Sequence, residues 1–353
     1  MINKLKRKGK SLKSVFVNEM LPKFCYRSRW LSSVYYIVST KFSREHQAVL
    51  AGRLKHQKEA KKLKSNYYLL VRNTHRLEKG LLMKPRRAVF AKDFISETVD
   101  SFGGVWQSNK NDSNNPQLKW FRDVLIEYFE ISGEDKVVKQ NHEKFKAILN
   151  GATLEQDLSR ELKSIPYFRS AEQISDITFE SFFKLTKQRR SVRWFLQKPV
   201  SRELIDKAIL AANQSPSACN RQPFEFRIFD DPTLVQQVVK IPMGTKGYGH
   251  TIPVIVVVVG NLDAYFDERD RHVIYIDASL ASMSFMLALE TLGLSSCPIN
   301  WPDIEEKETE METFLDLEPH QRPIMCIGLG YPDSEGMVAY SEKRPLVQIR
   351  RYN

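Results

Sequence analysis

Two segments of this chain carry residue types in an order that suits binding chemistry. In Arg189-Arg190-Ser191-Val192-Arg193-Trp194-Phe195, the polar residues Arg189, Ser191 and Arg193 fall at alternate positions. An extended backbone would turn all three to one side. Two guanidinium forks and a hydroxyl facing together suit a phosphate, which accepts charge-assisted and bidentate hydrogen bonds. An Arg-rich surface strand satisfies the same pattern, so this segment alone leaves both readings open. The second segment is Ser215-Pro216-Ser217-Ala218-Cys219-Asn220-Arg221-Gln222-Pro223. Its prolines hold the chain extended, and Ser217, Asn220 and Gln222 offer uncharged donors and acceptors. A planar heterocycle with several ring heteroatoms needs such groups, and so does an ordinary polar loop between helix and strand.

Other candidates are weaker. His75 and Glu78 stand one helical turn apart and could form an acid–base or metal pair, but no third ligand accompanies them, and a packed surface helix explains them better. His272, beside Arg269, Asp270 and Arg271, reads as a surface or hinge histidine. Gly244, Gly247 and Gly249 lack dinucleotide-binding spacing and precede a strand, and Gly328 and Gly330 lead into Pro332 and acidic residues rather than a helix. Cys25, Cys219, Cys297 and Cys326 lie far apart with no paired spacing, which argues against a zinc site or a disulfide framework and favours the cytoplasm.

The elements that must position these residues fall in the last part of the chain. A helix is predicted over Ser201–Ala212, with Ser201 as cap and Leu204, Ile205, Ala208, Ile209 and Ala212 on one face. Phe224–Phe229 alternates as a strand, and the β-branched run Val254–Val259 predicts a strand buried on both faces. Asp277–Leu292 reads as a helix dense in Ala, Ser, Met and Leu, and Ile324–Leu329 as a second buried strand. Upstream, Tyr67, Leu69, Leu70 and Val71 begin an apolar helix face, and Trp120, Val124, Leu125, Tyr128 and Phe129 form another. Gln107–Gln117 between them reads as an exposed loop.

At 353 residues the chain has room for two domains, or for one with a long appendage. The apolar run Pro253–Val259 is far short of the ~18 residues of a membrane-spanning segment, and none is expected. The formal charge of +12 is uneven: residues 1–100 hold 24 Lys and Arg against 7 Asp and Glu, and residues 151–353 hold 23 against 28. Basicity confined to one end does not read as a nucleic-acid enzyme. Three zones result, a basic N-terminal arm (1–66), a helical accessory region (67–175) and a mixed region (176–353). Trp30 to Val38 could set aromatics on one side of a basic helix that meets anionic lipid or an acidic partner, but a solvated arm is the preferred expectation.

In this order the motifs resemble the nitroreductase family of FMN-dependent oxidoreductases, over residues 180–353. Asp277–Gly293 resembles the family's long central helix, and Cys297-Pro298-Ile299-Asn300-Trp301 its turn over the flavin's reactive nitrogen. Gly328-Leu329-Gly330-Tyr331-Pro332 resembles its last core strand, and Lys343-Arg344-Pro345-Leu346 the basic pair that closes over the phosphate. The resemblance implies an α+β fold, an antiparallel-dominated sheet wrapped by helices and preceded by a mainly helical basic region. It implies FMN held by Arg189, Arg190, Ser191, Arg193, Pro216, Ser217, Asn220, Pro298, Ile299, Asn300, Trp301, Lys343 and Arg344, with no side-chain nucleophile. It further implies hydride taken from NAD(P)H for an electrophilic small-molecule acceptor, and a homodimer with FMN at the interface.

Three departures stand out. The stretch between the first two strands leaves little room for a substrate lid, Asn300 stands where many members have an acidic residue or Gly, and the long N-terminal extension resembles that of proteins encoded near bacterial surface-polysaccharide genes. Two other functions stay in view. One is a flavin-weak or flavin-free dimeric scaffold whose basic N-terminus recruits a polysaccharide-synthesis partner or an anionic membrane. The other is a flavin dehydrogenase of a peptide or sugar-linked substrate, with oxygen as acceptor.

Overall fold

The computed structural model describes residues 20–109, 115–149, 163–170 and 174–353. The basic start of the chain and residues 110–114 of the expected loop lie outside the described residues.

The first part is helical: α1 (Leu21–Cys25), α2 (Arg29–Ser39), α3 (Ser43–Lys58), a π-helical turn at Glu59–Leu63, α4 (Tyr67–Leu81), α5 (Ile95–Ser108), α6 (Pro116–Ile131) and α7 (Lys136–Leu149). Helix α4 starts where the Asn66 side chain accepts from the backbone N–H of Leu69 at 2.6 Å, and α6 where Asn115 caps Gln117 and Leu118 with Pro116 in the first turn. The apolar faces of α4 to α7 close on one another through Leu70, Leu77, Ile95, Phe102, Phe121, Leu125, Tyr128 and Phe145. Tyr128 is fully buried, and its hydroxyl donates to the Phe90 carbonyl at 2.8 Å. The helical signals on both sides of Gln107–Gln117 hold, and the helices run into that stretch from both ends.

The second part holds α8 (Phe179–Gln188), α9 (Arg202–Ala212), β1 (Phe224–Phe229), α10 (Pro232–Val238), β2 (Val254–Asn261), α11 (Val273–Thr291), β3 (Ser295–Asn300), α12 (Glu305–Leu315), β4 (Gln321–Gly330) and the short α13 (Leu346–Ile349). The four strands form one antiparallel sheet in the order β1-β2-β4-β3, so the fold is α+β as expected. Along β2, Ile255, Val257 and Val259 point to the side of α10 and α12, while Val254, Val256 and Val258 pack with Ala278, Ala281, Phe285 and Leu289 of α11. All six are buried, because helices cover both faces.

Three elements exceed their sequence signals, and β2 runs on to Asn261, two residues past the expected Val259. Helix α11 begins at Val273, a turn before the expected Asp277. Strand β4 begins at Gln321, three residues before the expected Ile324. Pro323 argues against a strand there, but Val258 pairs with Met325 and Val259 with Pro323, so Ile324 is the extra residue of a bulge that admits the proline.

By length and composition alone the Glu268–Thr291 stretch, which contains α11, could cross a membrane. Here it carries the buried Asp277 and Glu290 and lies against the sheet as the core helix of this part.

The expected solvated arm holds only for part of the described 20–66: α2 has no buried residue, but α3 is not free. Helix α3 docks on the second part, with Ala48 and Val49 buried against Leu262, Ala264, Tyr265 and Ile274. Gly52 permits the approach, since a Cβ there would lie 2.6 Å from the Leu262 carbonyl carbon. Arg44 pairs with Glu305 and Glu312, Arg53 with Glu268, and Lys55 with the buried Asp263 at 2.6 Å.

Candidate functional site

Helix α8 ends at Gln188, and the chain runs extended alongside the sheet's outer strand. Ser191 bridges in parallel to Ser296 of β3, and the backbone N–H of Val192 donates to the Ser296 carbonyl at 3.1 Å. Val192 and Phe195 enter the core, which leaves the residues between and before them outward. Burial pushes the Cys297 pKa up, and the charges of Arg193 and Arg189 work against that rise. The Arg193 guanidinium stands 5.6 Å from the Tyr248 ring centroid. Arg189 is half-buried, and its Nε has no partner among the described residues; the fully buried Ser296 hydroxyl likewise has none. Arg190 turns its guanidinium back to the Arg189 carbonyl at 3.4 Å. A buried donor without a protein partner is costly and calls for one, which a water, an ion or a bound group can supply. Val192 is buried between the half-buried Ser191 and the exposed Arg193, as an alternating extended segment requires, and the chemistry of Arg189, Ser191 and Arg193 fits a phosphate.

The loop after α9 is held firmly. Ser215 meets Ser284 of α11 at 2.8 Å, and the N–H of Ala218 donates to the Asp277 carboxylate at 3.0 Å. Burial raises the Asp277 pKa, against the hydrogen bonds from Ala218 and Tyr265. Inside the loop the Ser217 hydroxyl accepts from the N–H of Gln222, and the Asn220 side-chain oxygen accepts from the Gln222 amide at 3.2 Å. Cys219, Asn220 and Gln222 all have positive φ, at 53°, 56° and 51°. Such backbone strain at non-glycine residues is of order 1–3 kcal/mol each and persists only where the surroundings enforce it. Pro216 is exposed and Asn220 half-buried at the rim.

Arg221 was not singled out from the sequence, yet it is the buried cation of this loop. Its guanidinium lies 4.8 Å from the Tyr265 ring and donates to the Ala218 carbonyl, while Nε has no partner among the described residues. Only its place inside the motif could have flagged it. The roles of Asp277 and Tyr248 were also missed, since Asp277 reads only as the start of a helix and Tyr248 stands in no motif. From the accessory region α4 packs on this loop, and Arg72 stacks at 5.1 Å over Phe266. Burial lowers the Arg72 pKa, with Arg76 and Arg221 adding like-charge repulsion.

Cys297 to Asn300, expected as a turn, lie in strand β3. Pro298 is tolerated because β3 is the last strand of the sheet and the proline's missing N–H removes no ladder bond there. Ile299 is buried and Asn300 exposed. The buried Trp301 donates from its indole nitrogen to Glu308 at 2.7 Å, and Glu308 also takes Arg322 at 3.1 Å. That network fixes the end of β3 from beneath.

Lys343 and Arg344 stand on a fully exposed C-terminal tail, and within one chain no contact brings them to Arg189 or Arg193. His75 meets Glu78 at 3.4 Å, and Trp120 donates to the same carboxylate, which makes a packing contact between α4 and α6.

Residues 186–245 and 235–331 match the nitroreductase family. Among curated proteins, iodotyrosine deiodinase 1 of Pongo abelii is 24% identical over 227 residues, covering 55% of this chain and 76% of that protein. A Methanothermobacter thermautotrophicus protein that bears the name NADH dehydrogenase/NAD(P)H nitroreductase is 28% identical over 147 residues, 41% of this chain and 74% of its own. Among solved structures, an FMN-dependent nitroreductase from Clostridium difficile superposes with a TM-score of 0.42 at 22% identity, covering 48% of this chain and 99% of that one.

Proposed function

Since residues 186–331 make this chain a member of the nitroreductase family, we propose that it is an FMN-dependent oxidoreductase that takes hydride from NAD(P)H and passes it to an electrophilic small molecule. The observation that carries this reading is the pair Arg189 and Arg193 beside β3, one of them with a buried donor left without a partner. When bound, FMN would supply the hydride-carrying chemistry, and the protein's work is to hold and orient.

Arg189, Ser191 and Arg193 bind the phosphate and the adjoining chain, with Arg190 behind them. Pro216, Ser217 and Asn220 border the ring, on a loop stiffened by Asp277 and by its own hydrogen bonds. Pro298, Ile299, Asn300 and Trp301 offer a rigid strand end, seated on Glu308 and Arg322, toward the reactive edge. The name borne by the archaeal relative supports NAD(P)H as reductant.

A second copy completes the site. Phe179, Phe182 and Phe183 of α8 and Ile276, Leu280 and Met283 of α11 are exposed, as are Met337, Tyr340, Val347 and Tyr352 on the tail. Faces of this size rarely stay in water. Packed between two copies, the tail would carry Lys343 and Arg344 to the phosphate of the partner subunit. We assign the cytoplasm on the four free cysteines, and the units 1–66, 67–175 and 176–353 as accessory arm, accessory helices and FMN-binding domain.

The test is a visible absorption spectrum of the purified protein, with mass identification of what heat releases, followed by anaerobic NADPH. Bound FMN that bleaches supports the reading. A colourless protein that does not take up added FMN refutes it.

A further inference from the structure

We infer that α2 and the chain leading into it form a peripheral anchor that lies on an anionic lipid surface. Trp30, Val34, Ile37 and Val38 share one side of the helix, and Trp30, Ile37 and Val38 are 69%, 74% and 76% exposed. Phe24 and Tyr26 extend the strip and are also exposed. The opposite side is the packed one, where Ser32 donates to the Cys25 carbonyl of α1 at 2.9 Å. Ser33 lies beside the apolar strip, and its hydroxyl donates to the Arg29 carbonyl one turn back. That hydroxyl would therefore enter the headgroup boundary already satisfied. At 11 residues, about 16 Å, α2 is too short to cross a bilayer and suited to lie on one.

The apolar strip and the charge together favour lipid. Met20 to Arg44 contains no Asp or Glu and five basic residues, Lys23, Arg27, Arg29, Lys41 and Arg44. Arg44 is used inward, on Glu305 and Glu312, and so fixes where this arm joins the second part. The other four are exposed and have no carboxylate partner among the described residues. They stand at both ends of the apolar strip. An apolar strip with an aromatic at the interface and only positive charge at its margins matches the boundary of an anionic membrane. An acidic protein surface would answer the positive charge as well, but an apolar strip edged by an aromatic on a short helix fits the headgroup boundary. The faces assigned to a second copy lie on α8, α11 and the tail, so the two uses do not compete.

The experiment is co-sedimentation of the full chain with vesicles of phosphatidylcholine alone, or with about a third phosphatidylserine. The proposal expects binding at least about tenfold tighter to the anionic vesicles, weakened by salt. The double variant Trp30→Asp/Ile37→Asp should lose that binding by at least about tenfold while keeping the wild-type flavin content and turnover. In the wild type, hydrogen exchange over residues 29–39 should slow with anionic vesicles only. Equal binding by the double variant overturns the proposal, as does the absence of both lipid binding and protection. A wild type that ignores lipid but sediments as a larger species than the variant assigns the strip to a second copy and overturns it too. Flavin content is read separately, so this result and that of the proposed function are independent.

Discussion

Replacing Arg189 by Met separates a binding arginine from a structural one, because the two roles give opposite signs. The Arg189 Nε is buried without a partner, and the guanidinium makes no ion pair, among the described residues. Leaving a buried donor unmet costs about 1–3 kcal/mol. Met keeps most of the apolar stem and removes the polar head, so the flavin-free protein should gain about 1 kcal/mol. The same change deletes a charge-assisted contact to phosphate worth about 1.5–3 kcal/mol, a loss of about 10- to 150-fold in FMN affinity. The two effects then cross. FMN at about 100 times its dissociation constant stabilises the wild type by about 2.7 kcal/mol, and a site weakened about 30-fold gains less than about 1 kcal/mol from the same concentration. Urea unfolding with and without FMN, beside a flavin-fluorescence titration, reads both quantities. The variant should be the more stable protein without FMN and the less stable with it. If it is less stable without FMN and binds FMN as the wild type does, Arg189 is a packing residue and the phosphate assignment fails.

Arg193, being exposed, should contribute less, and Arg193→Ala should weaken FMN by up to about tenfold in the same titration. Leu280→Arg on α11 should turn a dimer into a monomer in sedimentation velocity and lower flavin content with it, whereas a monomer that keeps FMN would refute the shared site. Arg322→Met strands the buried Glu308 and should cost about 3–5 kcal/mol in urea unfolding. Acid should loosen the docking of α3, where burial lowers the pKa of both His56 and His320. A histidine whose folded pKa is depressed binds its proton more readily when unfolded, so its stabilisation is whole above about pH 6.5 and is lost as pH falls toward the folded value. The urea midpoint should therefore drop below that pH, and His56→Gln should flatten the slope.

The parts of this molecule that sequence showed clearly are those whose physics is local. Val192 turns inward between Ser191 and Arg193 because Ser191 is paired to Ser296 as a strand residue, and successive residues of an extended chain point to opposite sides. The β-branched run of β2 had to be buried on both faces, and it is. Strand β4 was cut short at Pro323 because a bulge, which depends on the register with β2, leaves no mark in β4's own residues. Cys297 to Asn300 form a strand for a similar reason. A proline there argues for a turn until one knows that β3 ladders with β4 alone and meets the Ser191 segment only at Ser296.

The docking of α3 was the larger omission, and its cause is long-range pairing. Read alone, Ser43–Lys58 is a polar helix with many charges, and nothing in it says that Arg44, Arg53 and Lys55 will meet Glu305, Glu312, Glu268 and Asp263, more than 200 positions away. The one local mark was Gly52, a poor helix former in mid-helix, where the backbone of Leu262 comes too near for any side chain. That contact bears on the site as well. The same interface places α4 on the loop of Ser217 and Asn220, with Arg72 beside Arg221. A domain trimmed at residue 176 would lose that support. Its flavin loop, with three non-glycine residues at positive φ, would have fewer contacts to hold the strain, so such a trimmed chain should bind FMN more weakly even though every residue assigned to the cofactor remains.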